Sequence, residues 1–261
     1  MKAAKRLGLL FVIAGMLLGL SACGASGRYK NIKTLEDQKF YIGYRQNDAA
    51  GYFINCAVAV LAAEGTVSQI SRTWFGDERL KFGEDAAAIE NAGYIAPREL
   101  IIGVDENAFP ASYLENGEYK GFDVELAKAA CEKLGWEPKF ISILPENAYV
   151  ELSSGNVDIA WGGMNLDEEA KNYSVIGPYM ENSVIIAARS DVGGSLGGKT
   201  LYVDTTQSSM AVLDANAAVR DKLGKITRVN INAVSGFQSL DIGDCDALLT
   251  DSMALDYYNR F

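Results

Sequence analysis

The acids of this chain are its first candidates for chemistry. Asp251 follows the apolar run Ala247–Thr250, so its carboxylate is expected to project from the end of a strand. The same residue also stands where an N-cap for a helix over Ser252–Asn259 would stand. If the fold gathers Asp167, Glu168, Glu169, Asp204 and Asp251, the resulting acidic surface favours a cationic partner. Read more simply, Asp167–Glu169 is the acidic first turn of a helix. Acid–base catalysis has little to draw on, because the sequence contains no histidine. Four cysteines, Cys23, Cys56, Cys131 and Cys245, form no C-x-x-C pair, which leaves a zinc or dithiol site without support. No cofactor and no metal are expected. Cys56 and Cys131 fall on apolar helix stripes and read as buried thiols rather than a disulfide. Trp161 ends a predicted strand before the Gly162-Gly163 turn, where it lines a pocket or fills the core.

Composition bounds what these acids can serve. A chain of 261 residues allows one domain or two small ones with ample core. A net charge of −10 argues against a nucleic-acid partner, which needs clustered Lys and Arg. Lys2, Lys5 and Arg6 precede an apolar stretch, Leu7–Leu20, too short to span a bilayer comfortably. Met1–Ala22 therefore reads as a signal peptide. Its end, Leu20-Ser21-Ala22-Cys23, resembles a bacterial lipobox, which implies lipid attachment at Cys23 and an extracytoplasmic, membrane-anchored protein. Residues 23–27 would be a tether.

The elements that must position the acids alternate. Strands are expected at Phe40–Arg45, Leu100–Val104, Lys139–Ile143, Ile159–Trp161, Ser183–Ala187, Thr200–Val203, Thr227–Asn230 and Ala247–Thr250. Helices are expected from Asp48 to about Ala63, from Thr66 to near Trp74, and over Asp123–Leu134 and Asn147–Leu152. Further helices are expected over Ser208–Asn216, Gly236–Leu240 and Ser252–Asn259, with one beginning at Asp167. This alternation predicts an α/β fold with a largely parallel sheet. Residues 77–98 read as a polar connector.

Several segments resemble the amino-acid type of bacterial extracellular solute-binding protein, family 3. They are Gly121-Phe122-Asp123-Val124-Glu125-Leu126-Ala127, Ser154-Gly155-Asn156-Val157-Asp158, Gly177-Pro178-Tyr179 and Thr250-Asp251-Ser252. Tyr41-Ile42-Gly43-Tyr44-Arg45, Glu64-Gly65-Thr66 and Thr73-Trp74-Phe75-Gly76 resemble segments that close the chain in that family, yet here they come first. The resemblance therefore implies a circularly permuted clamshell of the periplasmic-binding-protein type II class. Its parts would be residues 28–39 in the second lobe, 40–76 and 99–182 in the first, a crossing strand at 183–190, and 191–261 in the second lobe.

The resemblance also implies a site. Asp251 matches the acid that holds an ammonium group. Gln207, Ser208 and Ser209 match a turn whose amides bind a carboxylate, or they simply cap a helix. Gly162, Gly163 and Asn165 match the segment leading to the arginine that clamps that carboxylate, but here that position is Ala170. Phe109 and Tyr113 supply the aromatic wall. The implied function is a monomeric capture subunit of an ABC importer, without catalysis, passing an amino acid or related cationic amine to a permease. A sensor or adhesion lipoprotein with a degenerate cleft, and a dehydratase on the same fold, are the alternatives.

Overall fold

The computed structural model describes residues 27–169, 171–205 and 209–261. Cys23, Ala170, Gln207 and Ser208 lie outside the described residues, as does the side chain of Ser209. From the amino end come β1 (Tyr29–Arg45), α1 (Ala49–Ala63), α2 (Thr66–Phe75), α3 (Ala88–Ala92), β2 (Glu99–Val104), β3 (Tyr113–Glu115) and β4 (Glu118–Lys120). There follow α4 (Phe122–Leu134), β5 (Glu137–Ser142), α5 (Ala148–Ser154), β6 (Ile159–Ala160) and β7 (Tyr173–Arg189). The last third holds β8 (Thr200–Asp204), α6 (Ser209–Ala215), α7 (Ala217–Arg220), β9 (Lys225–Val229), α8 (Ala233–Ile242), β10 (Ala247–Asp251) and α9 (Ser252–Arg260).

The fold is α/β, built on one eight-stranded sheet ordered β5-β2-β6-β1-β7-β10-β8-β9. Its axis is the antiparallel pair β1 and β7, 17 residues each, in register from Tyr29 opposite Arg189 to Arg45 opposite Tyr173. At one end β6 joins β1 at Gly43 and Tyr44. At the other, β10 joins β7 over Val184–Ala187. Strands parallel to these neighbours then extend the sheet in both directions. Two lobes result, joined where Gln38 and Phe40 face Asn182 and Met180. The crossing expected at residues 183–190 lies instead near Met180–Asn182, because Val184–Ala187 already pairs within the second lobe.

Local chemistry sets the element ends. Asp48 caps α1 by accepting from the Ala50 amide at 2.8 Å. Asn232 and Ser235 form a reciprocal capping box at the start of α8. Gly135 ends α4 in the left-handed region at φ 66°. The buried faces of α1, α2 and α4 meet in a core with Phe40, Ile42, Leu100, Ile102 and Trp161. Residues 29–75 are therefore part of the same body as the rest. Cys56, Cys131 and Cys245 are free and buried.

Three findings differ from expectation. Asp167 starts no helix: its carboxylate accepts from the Glu169 amide at 2.9 Å in a local turn, and β7 begins at Tyr173. The hairpin β3–β4 was not anticipated, although Asn116-Gly117, both at positive φ, is a strong turn signal. And α9 does not belong to the second lobe alone. Asp256 pairs with Arg79, Tyr257 packs on Trp74 with ring centroids 5.8 Å apart, and Arg260 donates to the Thr73 carbonyl at 2.9 Å. Residues 77–98 are likewise held down. The Ser71 hydroxyl accepts from the Arg79 amide at 2.7 Å, and Phe82 stacks on Tyr179 at 5.3 Å.

Candidate functional site

A cleft of about 310 Å³ opens between the lobes beside the crossing strands. Four acids line it: Asp105, Glu146, Glu36 and Asp251. Asp105 follows β2 and Glu146 lies just before α5, both on the first lobe; Glu36 comes from the outer half of β1 and Asp251 from the end of β10. Gln38 and Asn165 add amides, and Ala108, Leu144, Pro145 and Met253 add apolar wall. Among the described residues that line the cleft there is no Lys and no Arg.

Placement at strand ends is what concentrates this charge. In an open α/β sheet, residues after the carboxyl ends of strands converge on the crevice. Asp105 after β2 and Asp251 at the end of β10 do so from opposite lobes. Burial raises the Asp251 carboxyl to about 6, opposed by a hydrogen bond from Asn182. Burial likewise raises Asp105 to about 6, with the Asn107 amide opposing and the Asp251 charge adding to the rise. Two carboxylates facing one partly dry space repel, and a bound cation would offset that repulsion and part of the desolvation cost.

The cleft floor is the Gly162-Gly163 turn. A β-carbon on Gly163 would lie 2.6 Å from that of Ala108, and one on Gly162 would lie 2.7 Å from the Ser112 hydroxyl, so neither position has room for one. Beneath the turn Asp123 is fully buried and accepts from the Gly163 amide at 2.9 Å, the Tyr179 hydroxyl at 2.7 Å and the Trp161 indole at 3.2 Å. Trp161 is therefore core, not pocket wall: its ring is wholly enclosed and its N–H is committed to Asp123.

The expected site residues divide as follows. Asp251, Gly163 and Asn165 line the cleft. Gly162 supports it from behind. Phe109 and Tyr113 do not line it. Phe109 is buried against Tyr113, Tyr257 and Tyr258, with ring centroids 4.9–5.7 Å apart. It inserts a ring from the first lobe into the core of the second. Phe109→Ala is accordingly expected to cost about 3–5 kcal/mol of stability, read as a lower denaturation midpoint, while solute preference stays unchanged. A changed preference without lost stability would restore Phe109 to the pocket. Of the acids expected to make the cleft acidic, Asp251 lines it; its companions there are others. Glu168 accepts from the Tyr41 hydroxyl at 2.9 Å, away from the cleft, and Asp204 lies in a narrow recess behind Asp251. Asp105, Glu146, Glu36 and Gln38 were missed. Asp105 had a legible signal, an acid directly after the apolar run Leu100–Val104, the same pattern that pointed to Asp251.

Residues 100–232 match the family model of bacterial extracellular solute-binding proteins, family 3. The chain is 34% identical over 77 residues to the ABC transporter arginine-binding protein 1 of Escherichia coli (strain K12), covering 29% of this chain and 32% of that protein. It thus spans about a third of that relative's length. To the glutamine-binding protein of Geobacillus stearothermophilus it is 27% identical over 213 residues, 76% of this chain and 78% of that one. The crystal structure of an ancestral amino acid-binding protein, a precursor of cyclohexadienyl dehydratase, aligns with a TM-score of 0.48 and 28% identity over 62% of this chain and 74% of that chain.

Proposed function

Because the chain belongs to the bacterial extracellular solute-binding proteins, family 3, we propose that it captures a small cationic amine between its lobes and delivers it to an ABC permease. It is a binding protein and not an enzyme. The observation that carries the choice of solute is the cleft wall, with Asp105, Glu146, Glu36 and Asp251 and no basic side chain among the described lining residues. An α-amino acid brings a carboxylate as well as an ammonium, and among the described lining residues that carboxylate meets four acids and no cation. A diamine or polyamine brings only the charge the wall lacks. Asp105 and Asp251 stand on different lobes, so a solute with two cations bridges them and favours closure.

A cationic amino acid is the second reading, favoured by the arginine-binding relative. Arginine presents a guanidinium to the acids, and its carboxylate would then need backbone amides. Lipid anchoring at Cys23 on the extracytoplasmic face would hold the protein beside its permease, and the permuted chain order leaves both crossing strands intact.

Ligand binding to the native state alone raises the melting temperature. With 1,4-diaminobutane, spermidine, arginine, lysine and glutamine at 1 mM and pH 7.5, the largest rise is expected for an amine without a carboxylate. A solute at 100 times its Kd contributes about 2.7 kcal/mol, a shift of several degrees. A rise with glutamine alone would refute the cationic reading, and no rise with any of the five would favour a degenerate cleft.

A further inference from the structure

Asp251 stands at the N-cap position of α9, yet its side chain makes no capping hydrogen bond. The vacant duty is filled from elsewhere. Asn182 lies on β7 where the strands cross between lobes, and it is only 4% exposed. Its Oδ1 accepts from the Met253 amide at 3.3 Å and from the Ser252 hydroxyl at 3.0 Å. The Ser252 hydroxyl in turn accepts from the Ser183 amide at 3.0 Å. The start of α9 is thus capped by a residue of another element.

The other end of the same amide faces the acids. Asn182 Nδ2 donates to Asp251 Oδ1 and to Gln38 Oε1, each at 3.0 Å. Gln38 Nε2 then donates to Glu36 Oε1 at 3.2 Å. An amide has two donors and one acceptor oxygen, and all of them are used here. The geometry requires the Asn182 oxygen to face α9 and its nitrogen to face the cleft. No carboxylate can substitute, because it has no hydrogen to give.

We propose that Asn182 is a positioning residue which takes over the capping of α9 and thereby leaves the Asp251 carboxylate free to anchor the solute's cation. The anchoring half of this statement rests on the reading of the cleft given above; the capping half does not. Beyond the Asn182 amide, the titratable groups around Asp251 are acids. Asp105 and Glu146 come from the first lobe, Glu36 from β1, and Asp204 from β8 in the recess behind. No Lys or Arg lines either space among the described residues. Against this surrounding charge the Asn182 donor favours the ionised form.

Solute-free protein separates the two halves. In the wild type, the carboxyl carbon of Asp251 and the Nδ2 protons of Asn182, followed by NMR from pH 4 to 8, are expected to move with one midpoint. Asn182→Asp retains an oxygen for the Met253 amide but replaces the donor by a like charge. The Asp251 midpoint should then rise by at least one pH unit, tenfold in proton affinity. Ser252→Ala, which removes the hydroxyl between Asn182 Oδ1 and the Ser183 amide but leaves the Asn182–Asp251 hydrogen bond, should lower the melting temperature without moving that midpoint. Asn182 protons indifferent to the Asp251 titration in the wild type would overturn the proposal, as would an unmoved midpoint in Asn182→Asp. With 1,4-diaminobutane added at pH 7.5, both wild-type signals are expected to shift together. If they titrate together but ignore every amine, the cationic reading of the cleft fails while the capping role of Asn182 stands.

Discussion

Asp251→Asn is expected to raise the melting temperature of the solute-free protein at pH 7.5 by about 4–8 °C and to abolish its response to amines. The two effects have one cause. Burial lifts the Asp251 carboxyl to about 6, so folding at pH 7.5 forces a charge into a place that resists it. The shift from an ordinary Asp near 4 corresponds to about 2–3 kcal/mol. Asn keeps the shape and, with its oxygen turned to Asn182, keeps the hydrogen bond. It also lifts a like charge from Asp105. The sign with pH follows. A carboxyl raised in the folded state gives stability that is complete below about pH 4 and is lost as pH rises through about 6. The wild type should therefore melt higher at pH 5 than at pH 7.5, and the variant should lose much of that slope. A binding acid that lowers the stability of its own fold is the expected signature of a site poised for a cation. Calorimetry at the two pH values decides it. An Asp251→Asn protein that melts at or below the wild type at pH 7.5 would show that the charge is already compensated without solute.

How far the sequence foretold this site depends on what each residue's position rests on. Asp251 was readable because an acid closing an apolar strand points at the strand's carboxyl end, whatever the rest of the fold. Asp105 follows the same rule. The Gly162-Gly163 turn was readable because two adjacent glycines before Met164 leave little alternative to a tight turn. Glu36, Gln38 and Asn182 were not readable. They meet only because β1 and β7 pair in one register, with Gln38 opposite Asn182 across 144 positions of sequence. A slip of one residue would send each to the other face. Phe109 and Trp161 mark the opposite limit. A large aromatic in the turns that follow a strand suits a pocket wall and a core equally well, and here Asp123 and the rings of α9 claim them for the core. The acidic triplet Asp167–Glu169 misled because its local turn chemistry outweighed its helical pattern.

Asp123→Ala should have the largest effect on stability, at least about 4 kcal/mol, a substantial part of the 5–15 kcal/mol typical of a folded protein. The carboxylate sits wholly inside the first lobe and accepts from three donors that have no water to turn to. Each orphaned donor costs about 1–3 kcal/mol, and the emptied volume adds to that. Asp123→Asn is the sharper test. Its single oxygen can replace Oδ2, which serves Gly163 and Tyr179, or Oδ1, which serves Trp161. In the first case its NH2 meets the indole N–H, and in the second it meets the Gly163 amide. The Tyr179 hydroxyl can rotate, but neither of those N–H groups can. Asn is therefore expected to fall between wild type and Ala, although it differs from Asp by one atom. Because Gly163 lines the cleft, the Asn variant should also bind amines more weakly, whereas Tyr179→Phe, which removes only the donor that can rotate, should bind them nearly as well as the wild type. Burial raises Asp123 to about 7 despite its three donors, so its contribution to stability, like that of Asp251, declines as pH rises toward and past neutrality. Equal denaturation midpoints for wild type and Asp123→Asn at pH 7.5 would mean that the carboxyl is protonated and already gives a hydrogen to one of its neighbours. The cleft floor would then rest on a neutral acid rather than on the carboxylate described above.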